Sequence, residues 1–237
     1  MGLFDSPWRQ LEAFLQKQRE AGRLRELPLA ACGDWPEEQS LVLEEDTAIE
    51  LGKPDRGSLS FLLWREDGEE RDRVLLVGPD LDELPSPSEP FGQIVLVRGR
   101  FEDEYECFRE LRDAVYQTRL RGFMTRVLPS RQTIWARVNR EARERGFSLA
   151  HLGAALVRNL KESEFVSAAQ VVFITSGRED LQSLEGAGRE AARIAGAMLK
   201  MSEEMNFDCR TCEYADVCDE VAELKTIRQR LAEKKSR

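Results

Sequence analysis

Three of the five cysteines lie within ten residues near the end of the sequence, in the segment CRTCEYADVC (209–218). Cys209, Cys212 and Cys218 have the spacing C-x2-C-x5-C, and two thiolates separated by two residues can bind one metal ion or two corners of an iron–sulfur cube. In a reducing compartment such a cluster is more typical of a metal or redox site than of disulfides. The spacing predicts a metal site, with a 4Fe-4S cluster favoured over zinc.

A closed site at these cysteines requires a fourth ligand. The possible ligands are the two remaining cysteines and three other side chains of ligand type: Cys107, Cys32, Asp208, Asp219 and His151. We select Cys107, although its position beside Phe108 in an apolar helical stripe is also typical of a buried packing cysteine. The alternative to a metal site is a set of three reduced thiols in a turn between two helices.

A second region of possible chemistry is the arginine-rich stretch RLRGFMTRVLPSRQTIWARVNREARER (119–145). It contains eight arginines, no lysine and two glutamates, whereas the whole chain carries a formal net charge of −9. A guanidinium group binds phosphate oxygens in a bidentate manner and stacks on flat rings, whereas lysine offers a point charge. The stretch favours a phosphorylated ligand with a flat ring, and a solvated helix face is the alternative.

Helices are predicted to position both regions. On a helix over 133–145, Arg137 and Arg140 lie one turn apart with Arg143 nearby. Trp135 then points to another side, where it is either a stacking surface or a core side chain. The other predicted helices cover 5–22, the segment from Phe101 to Val115, 148–162, 179–205 and 219–235.

Strands are predicted where short apolar, β-branched runs occur, namely SLSFLLW, RVLLVG and QIVLVRG between 26 and 100, and AAQVVFITS at 168–176. Together the elements predict an α+β fold with one mixed sheet and flanking helices. We divide the chain into an N-terminal helix (1–25), an α+β domain (26–178) and a helical C-terminal segment with the cysteine cluster (179–237).

Composition restricts the classes of partner. With 237 residues, of which 41% are hydrophobic, the chain can form a sizeable core. Its acidic balance argues against non-specific binding to nucleic acid or to an anionic membrane. The N-terminal sequence has no apolar stretch typical of a signal peptide, and no window approaches the roughly 20 apolar residues of a membrane span. We therefore expect a cytoplasmic protein with neither nucleic acid nor membrane as partner.

The run QTIWARVNREARERGFSLAHLGAALV (132–157), followed by VSAAQVVFITS (166–176), resembles the middle region of the β subunit of the carbon monoxide dehydrogenase/acetyl-CoA synthase complex. TAIELGKPDRGSLSFLL, VGPDLDEL and FGQIVLVRGR resemble the same family in the same order. The resemblance implies an α+β domain that helps to bind coenzyme A near a tryptophan and faces a corrinoid iron–sulfur protein. The matching positions are Trp135, Arg137 and Arg140, and Arg131 and Arg143 are further candidates.

The same resemblance implies that this sequence has only part of the family's catalytic cysteine set. The family's nickel-iron-sulfur centre uses a C-x2-C pair, a third cysteine and a distant C-x-C pair, and the sequence has no C-x-C after Cys218. We therefore expect an accessory protein of one-carbon metabolism that is not catalytic alone. Its expected ligands and partners are coenzyme A, a corrinoid iron–sulfur or methyltransferase-type protein, and other subunits of the complex. The alternatives are an iron–sulfur electron-transfer subunit of a larger enzyme and a non-catalytic structural adaptor.

Overall fold

A computed structural model describes residues 2–29, 34–66, 71–128, 131–203, 213–221, 223–224 and 226–227. Within these residues the chain has the predicted α+β fold. The helices are α1 (Asp5–Glu20), α2 (Glu104–Gln117), α3 (Arg140–Glu144), α4 (Leu149–Lys161), α5 (Arg178–Glu203) and α6 (Ala215–Glu220). The strands are β1 (Leu24–Leu27), β2 (Thr47–Leu51), β3 (Ser58–Arg65), β4 (Arg73–Val77), β5 (Ser88–Glu89), β6 (Phe91–Gly99), β7 (Phe123–Leu128), β8 (Thr133–Asn139) and β9 (Val166–Ile174).

The first sheet has five strands in the order β1-β4-β9-β6-β3. It is mixed, because β4 pairs with β9 and β3 with β6 in parallel, whereas β1 pairs with β4 and β6 with β9 in antiparallel fashion. Its central strands are nearly continuous apolar runs and are buried along most of their length. Strands of this composition need cover on both faces.

Helices supply that cover. Helix α4 packs against β9 and β4, α5 packs against β3, and α1 packs against α5. Gly153 allows α4 to approach the sheet closely, because a Cβ atom at this position would lie 2.5 Å from both γ-methyl carbons of Val74. Among the described helices, none has the length and apolar character that crossing a membrane requires.

The second sheet has four strands in the order β5-β2-β8-β7. Strand β8 alternates strictly, with Ile134, Ala136 and Val138 fully buried and the intervening side chains half-buried on the outward face. Ser58 of β3 connects the two sheets, because its Oγ accepts a hydrogen bond from the Ile134 amide at 2.6 Å and donates to the Ile134 carbonyl at 2.5 Å. The inner face of this sheet therefore joins the core.

Two structural predictions are wrong in detail. The described residues form two mixed sheets rather than one. The predicted helix over 133–145 is wrong across 133–139, which is strand β8, and only Arg140–Glu144 is helical. The alternation of Ile134, Ala136 and Val138 has the two-residue period of a half-buried strand, and this period determines the conformation here. Arg137 and Arg140 consequently do not share a helix.

Most other elements agree with prediction. Helices α1, α2, α4 and α5 confirm the predicted helices in those regions, and β3, β4, β6 and β9 confirm the four predicted strands. Most of the predicted helix over 219–235 lies outside the described residues. The N-terminal helix is joined to α5 by a hydrogen bond of 2.9 Å from Ser6 Oγ to Glu190 Oε2. The division into three domains stays a prediction.

Candidate functional site

The outward face of the second sheet carries the most distinctive group of polar side chains. The strand register places Glu50 of β2 opposite Arg137 of β8, and Arg126 of β7 opposite Trp135 of β8. The prediction that Trp135 and Arg137 point to different sides is therefore wrong, because residues two apart on a strand lie on the same face. We call this surface the tryptophan face and define it by Glu50, Lys53, Arg126, Trp135 and Arg137.

Glu50 holds this face together. Its side chain is 11% exposed, and its Oε1 accepts hydrogen bonds from Trp135 Nε1 at 2.9 Å and from Arg137 Nε at 3.0 Å. Its Oε2 lies 2.6 Å from Lys53 Nζ. Burial by itself disfavours the charged carboxylate, but the hydrogen bonds from Lys53, Arg137 and Trp135 outweigh burial and lower the pKa of Glu50. Glu50 is therefore an ionised group that fixes the positions of Trp135 and Arg137.

Two guanidinium groups lie beside the indole ring of Trp135. The Cζ atom of Arg137 is 4.6 Å from the ring centroid, and that of Arg126 is 5.9 Å from it, both within the range of cation–π attraction. Arg137 is also engaged by Glu50. Arg126 is exposed, and within the described part of the chain no carboxylate forms an ion pair with it. Arg126 is thus the arginine of the tryptophan face that is best able to bind an anion.

The other arginines chosen from the sequence lie elsewhere. Arg140 and Arg143 are exposed on the short helix α3, which follows β8, and Arg131 is exposed just before that strand. The backbone amide of Arg140 donates to the carbonyl of Asp46 at 3.1 Å, which holds the start of α3 close to β2. These three arginines add positive charge to the region, but the arginine contacts that the structure gives to the Trp135 ring come from Arg126 and Arg137.

Exposed leucines border the tryptophan face. Leu128 of β7 is 55% exposed and lies two residues beyond Arg126, on the same side of the strand. Leu41 and Leu43 are 74% and 46% exposed, and the intervening Val42 carbonyl accepts a hydrogen bond of 3.5 Å from Arg137 Nη1. An arginine and tryptophan surface with an apolar border can contact another protein as well as a small ligand.

Sequence reasoning missed Glu50, Lys53 and Arg126. The alternation in FMTRVL, with Phe123 buried and Arg126 exposed, is a signal that indicates a strand with Arg126 facing outward. Glu50 carries no local signal, since its contact with Arg137 depends on the pairing of strands that are far apart in the sequence.

The predicted metal site lies only partly within the described residues. Cys209 and Cys212 fall outside them, whereas Cys218 is 5% exposed on α6. Helix α6 packs against α5, and Arg193 forms an ion pair with Asp216 between these helices. In the part of the chain that the structure describes, no group of three His, Cys, Asp or Glu side chains is arranged to hold a metal ion. The metal site therefore stays a prediction.

The predicted fourth ligand, Cys107, lies on α2 and is 8% exposed. Burial raises the pKa of the Cys107 thiol, and this favours the neutral thiol over the thiolate that binds a metal. His151, another possible ligand, caps α4 instead, because its Nδ1 accepts a hydrogen bond of 3.2 Å from the Ser148 amide. The His151 ring also lies 4.9 Å from that of Trp35.

The fold and the tryptophan face define an α+β domain with an open, arginine-bearing sheet face. The chain belongs to the CO dehydrogenase/acetyl-CoA synthase complex beta subunit family, whose model matches residues 37–179. The match includes the whole tryptophan face and ends at the start of α5. The cysteine cluster lies beyond it.

Curated relatives agree with this assignment. The acetyl-CoA decarbonylase/synthase complex subunit beta of Methanopyrus kandleri is 34% identical over 150 residues, which cover 61% of this chain and 32% of that protein. Subunit beta 2 of Methanocaldococcus jannaschii is 31% identical over 145 residues, which cover 60% of this chain and 30% of that protein. The subunit beta of Methanothermobacter thermautotrophicus is 30% identical over 171 residues, which cover 70% of this chain and 36% of that protein. The chain spans about a third of the length of these relatives.

Proposed function

We propose that this chain is an acetyl-CoA synthase β-subunit-like accessory protein of one-carbon metabolism, acting in the cytoplasm, and that it binds coenzyme A at the tryptophan face. The observation that supports this proposal is the exposed guanidinium of Arg126 next to the Trp135 ring in a chain of net charge −9. Coenzyme A carries an adenine ring, a pyrophosphate and a 3′-phosphate. Arginine and tryptophan are well suited to these groups.

Each residue of the tryptophan face has a distinct part in this proposal. Arg126 donates hydrogen bonds to phosphate oxygens, and Trp135 provides a flat surface for adenine. Glu50 is a positioning residue, because it holds both the indole nitrogen and Arg137. Since Glu50 already balances Arg137, most of the affinity for phosphate comes from Arg126. Arg131, Arg140 and Arg143 raise the local concentration of the anionic ligand.

Calorimetric titration with coenzyme A tests the proposal. Arg126→Ala removes a charge-assisted hydrogen-bond donor, so binding should weaken by about 1.5–3 kcal/mol, or roughly 10- to 150-fold. Arg109→Ala is the matched control, because Arg109 is an exposed arginine on α2 that pairs with Glu106 away from this sheet. Pantetheine, which lacks the nucleotide, should bind much more weakly than coenzyme A. If the Arg126→Ala and Arg109→Ala variants bind coenzyme A with equal affinity, the tryptophan face is not the coenzyme A site.

A protein partner at the same face is the second candidate function. The exposed Leu41, Leu43 and Leu128 favour it, because large apolar side chains at the edge of a charged patch are typical of protein interfaces. The partner class is a corrinoid iron–sulfur or methyltransferase-type protein, or another subunit of the complex. Leu128→Ser, which removes the apolar side chain without adding a charge beside Arg126, should weaken binding of the corrinoid iron–sulfur protein in a calorimetric titration while leaving coenzyme A binding unchanged. If the variant binds both the corrinoid iron–sulfur protein and coenzyme A as tightly as the unaltered chain does, Leu128 is not part of a protein interface.

We also propose that Cys209, Cys212 and Cys218 bind a 4Fe-4S cluster or a zinc ion, with Cys107 as the candidate fourth ligand. The C-x2-C-x5-C spacing supports this proposal, and a cluster here would make the chain an electron-transfer component. Anaerobic purification with iron, zinc, nickel and sulfide analysis should give about four irons and four sulfides per chain for the cluster. Cys107→Ser should lower the metal content more than Cys32→Ser. The absence of bound metal would leave the cysteines as reduced thiols.

A further inference from the structure

A partly enclosed cavity of about 80 Å³ lies between helices α2 and α5, above strands β3 and β6. Helix α5 lines it with Ala191, Ala192 and Ala195, and these short side chains leave the space open. Helix α2 contributes larger side chains, including Phe108 and Tyr116. We call this space the alanine cavity. Because the three alanines lie beyond residues 37–179, one wall of the cavity is outside the region matched to the family.

A stripe of three side chains on α2 borders the alanine cavity. Phe108, Arg112 and Tyr116 follow one another at intervals of four residues and therefore lie on one side of the helix. The Cζ atom of Arg112 is 5.8 Å from the centroid of the Phe108 ring. The stripe thus places one cation between two aromatic rings at the border of an apolar space.

Arg112 is only weakly engaged by other groups. Among the described residues, its ion-pair partner is the adjacent Asp113, at a long distance of 3.4 Å, and the Arg112 side chain is 29% exposed. Gln132, the other long polar side chain of the cavity, already donates its amide to the Gly188 carbonyl. Burial raises the pKa of Tyr116 to about 12, so its hydroxyl stays protonated at neutral pH and is a hydrogen-bond donor.

We propose that the alanine cavity binds a short aliphatic carboxylate, with the hydrocarbon chain between Phe108 and the alanines and the carboxylate at Arg112 and Tyr116. The volume limits the ligand to about five to eight groups of the size of a water molecule or a methylene. A guanidinium and a phenol one turn apart on the same helix, both lining the cavity, can bind a carboxylate better than an alcohol or an amine of the same length. This site is separate from the tryptophan face and does not depend on coenzyme A binding.

Calorimetric titration of the full chain with hexanoate, hexanol and hexylamine tests this inference. We expect hexanoate to bind at least about tenfold more tightly than the other two, because only hexanoate gains the charge-assisted hydrogen bonds at Arg112. Arg112→Gln should remove this preference while leaving hexanol binding within about twofold. Arg109→Gln, which changes an exposed arginine on the same helix, is the matched control and should leave the preference intact.

Filling the alanine cavity with a larger side chain provides a second test of the inference. Ala192→Leu should abolish binding of both hexanoate and hexanol, and Ala195→Val provides a milder change if the leucine variant does not fold. Arg126→Ala should leave hexanoate affinity unchanged, which distinguishes this site from the tryptophan face. The inference is overturned if hexanoate does not bind, if it binds no better than hexanol, or if a folded cavity-filling variant binds it with unchanged affinity.

Discussion

The two sheets of this protein differ in the residue pattern of their strands and in what their faces contact. The central strands of the first sheet are nearly continuous apolar runs, and the sheet packs against helices α4 and α5. In the second sheet, β8 alternates between buried apolar residues and an outward row that includes Trp135 and Arg137. The comparison shows that an alternating strand contributes to the core with one face and leaves the other face available for binding.

Polar contacts between side chains stabilise the tryptophan face. Glu50 connects Trp135, Arg137 and Lys53 in a network in which the carboxylate is largely buried. A network of this kind is rigid only while each member keeps its partner. The stability of the second sheet should therefore depend on single polar residues to a degree that the first sheet does not.

The largest effect is expected at the inner face of β8. Ile134 is fully buried, so Ile134→Ala should lower the free energy of unfolding by about 2–5 kcal/mol. Thr133 is its neighbour on the outward face, and Thr133→Ala should cost about 1 kcal/mol or less. Urea unfolding of both variants measures the difference. Similar costs at the two positions would contradict the assignment of inner and outer faces.

The next effect concerns the Glu50 network. Glu50→Gln should lower the free energy of unfolding at pH 7 by about 1–3 kcal/mol, because Arg137 and Lys53 lose a largely buried counter-charge. The pKa of Glu50 is lowered in the folded state, so the stabilisation is fully present above about pH 4.5 and is lost as the pH falls through the folded pKa. Unfolding curves of the two proteins should converge in this acidic range, and a constant difference down to pH 3 would argue against the network.

A smaller net effect is expected where α4 packs on the first sheet. Gly153→Ala should destabilise the protein by about 1–3 kcal/mol from overpacking against Val74, offset by a gain in helix propensity of about 1 kcal/mol. Gly186→Ala in α5 is the matched control, because that glycine is exposed and a Cβ atom there would meet only Gln10 Oε1 at 3.4 Å. The control should be neutral or slightly more stable in thermal unfolding. Equal behaviour of the two variants would mean that α4 does not pack closely on β4.

The smallest effect is expected for the ion pair between Arg25 and Glu83 at the edge of the first sheet. Hydrogen bonds from Arg25 and from the Asp80 amide lower the pKa of Glu83 to about 2. Both side chains are nearly half exposed, so solvent screens the pair and Glu83→Gln should cost less than about 1 kcal/mol. If Glu83→Gln lowers the free energy of unfolding in urea as much as Glu50→Gln does, the difference in burial between the two carboxylates does not determine how much each contributes to stability.

The two sheets also differ in how far the sequence predicts them. Strands β3, β4, β6 and β9 are recognisable because their apolar, β-branched runs have few helical alternatives. Polar residues interrupt the apolar residues of β7 and β8, and the helix-favouring residues of REARE extend the predicted helix over β8. The predicted helix places Trp135 and Arg137 on different sides, whereas the two-residue period of the strand places both on one face.

The contacts of the tryptophan face depend on pairing between distant segments. Glu50 and Arg137 are 87 residues apart, and only the β2–β8 register brings them together. Local propensity contains no information on this register, so neither Glu50 nor its effect on Arg137 could be predicted from the sequence alone. The alanine cavity has the same origin, because α2 and α5 meet only in the folded chain.

The Glu50–Arg137 contact also bears on how the second sheet avoids misfolding. Sliding β2 past β8 by one residue would turn Glu50 toward the side occupied by Ile134 and Val138, where an ionised carboxylate has no partner. Such a slip would bury a charge in an apolar core, at a cost of several kcal/mol. The charge of Glu50 thus makes the neighbouring registers of β2 and β8 less stable than the observed one, whether or not any ligand is bound.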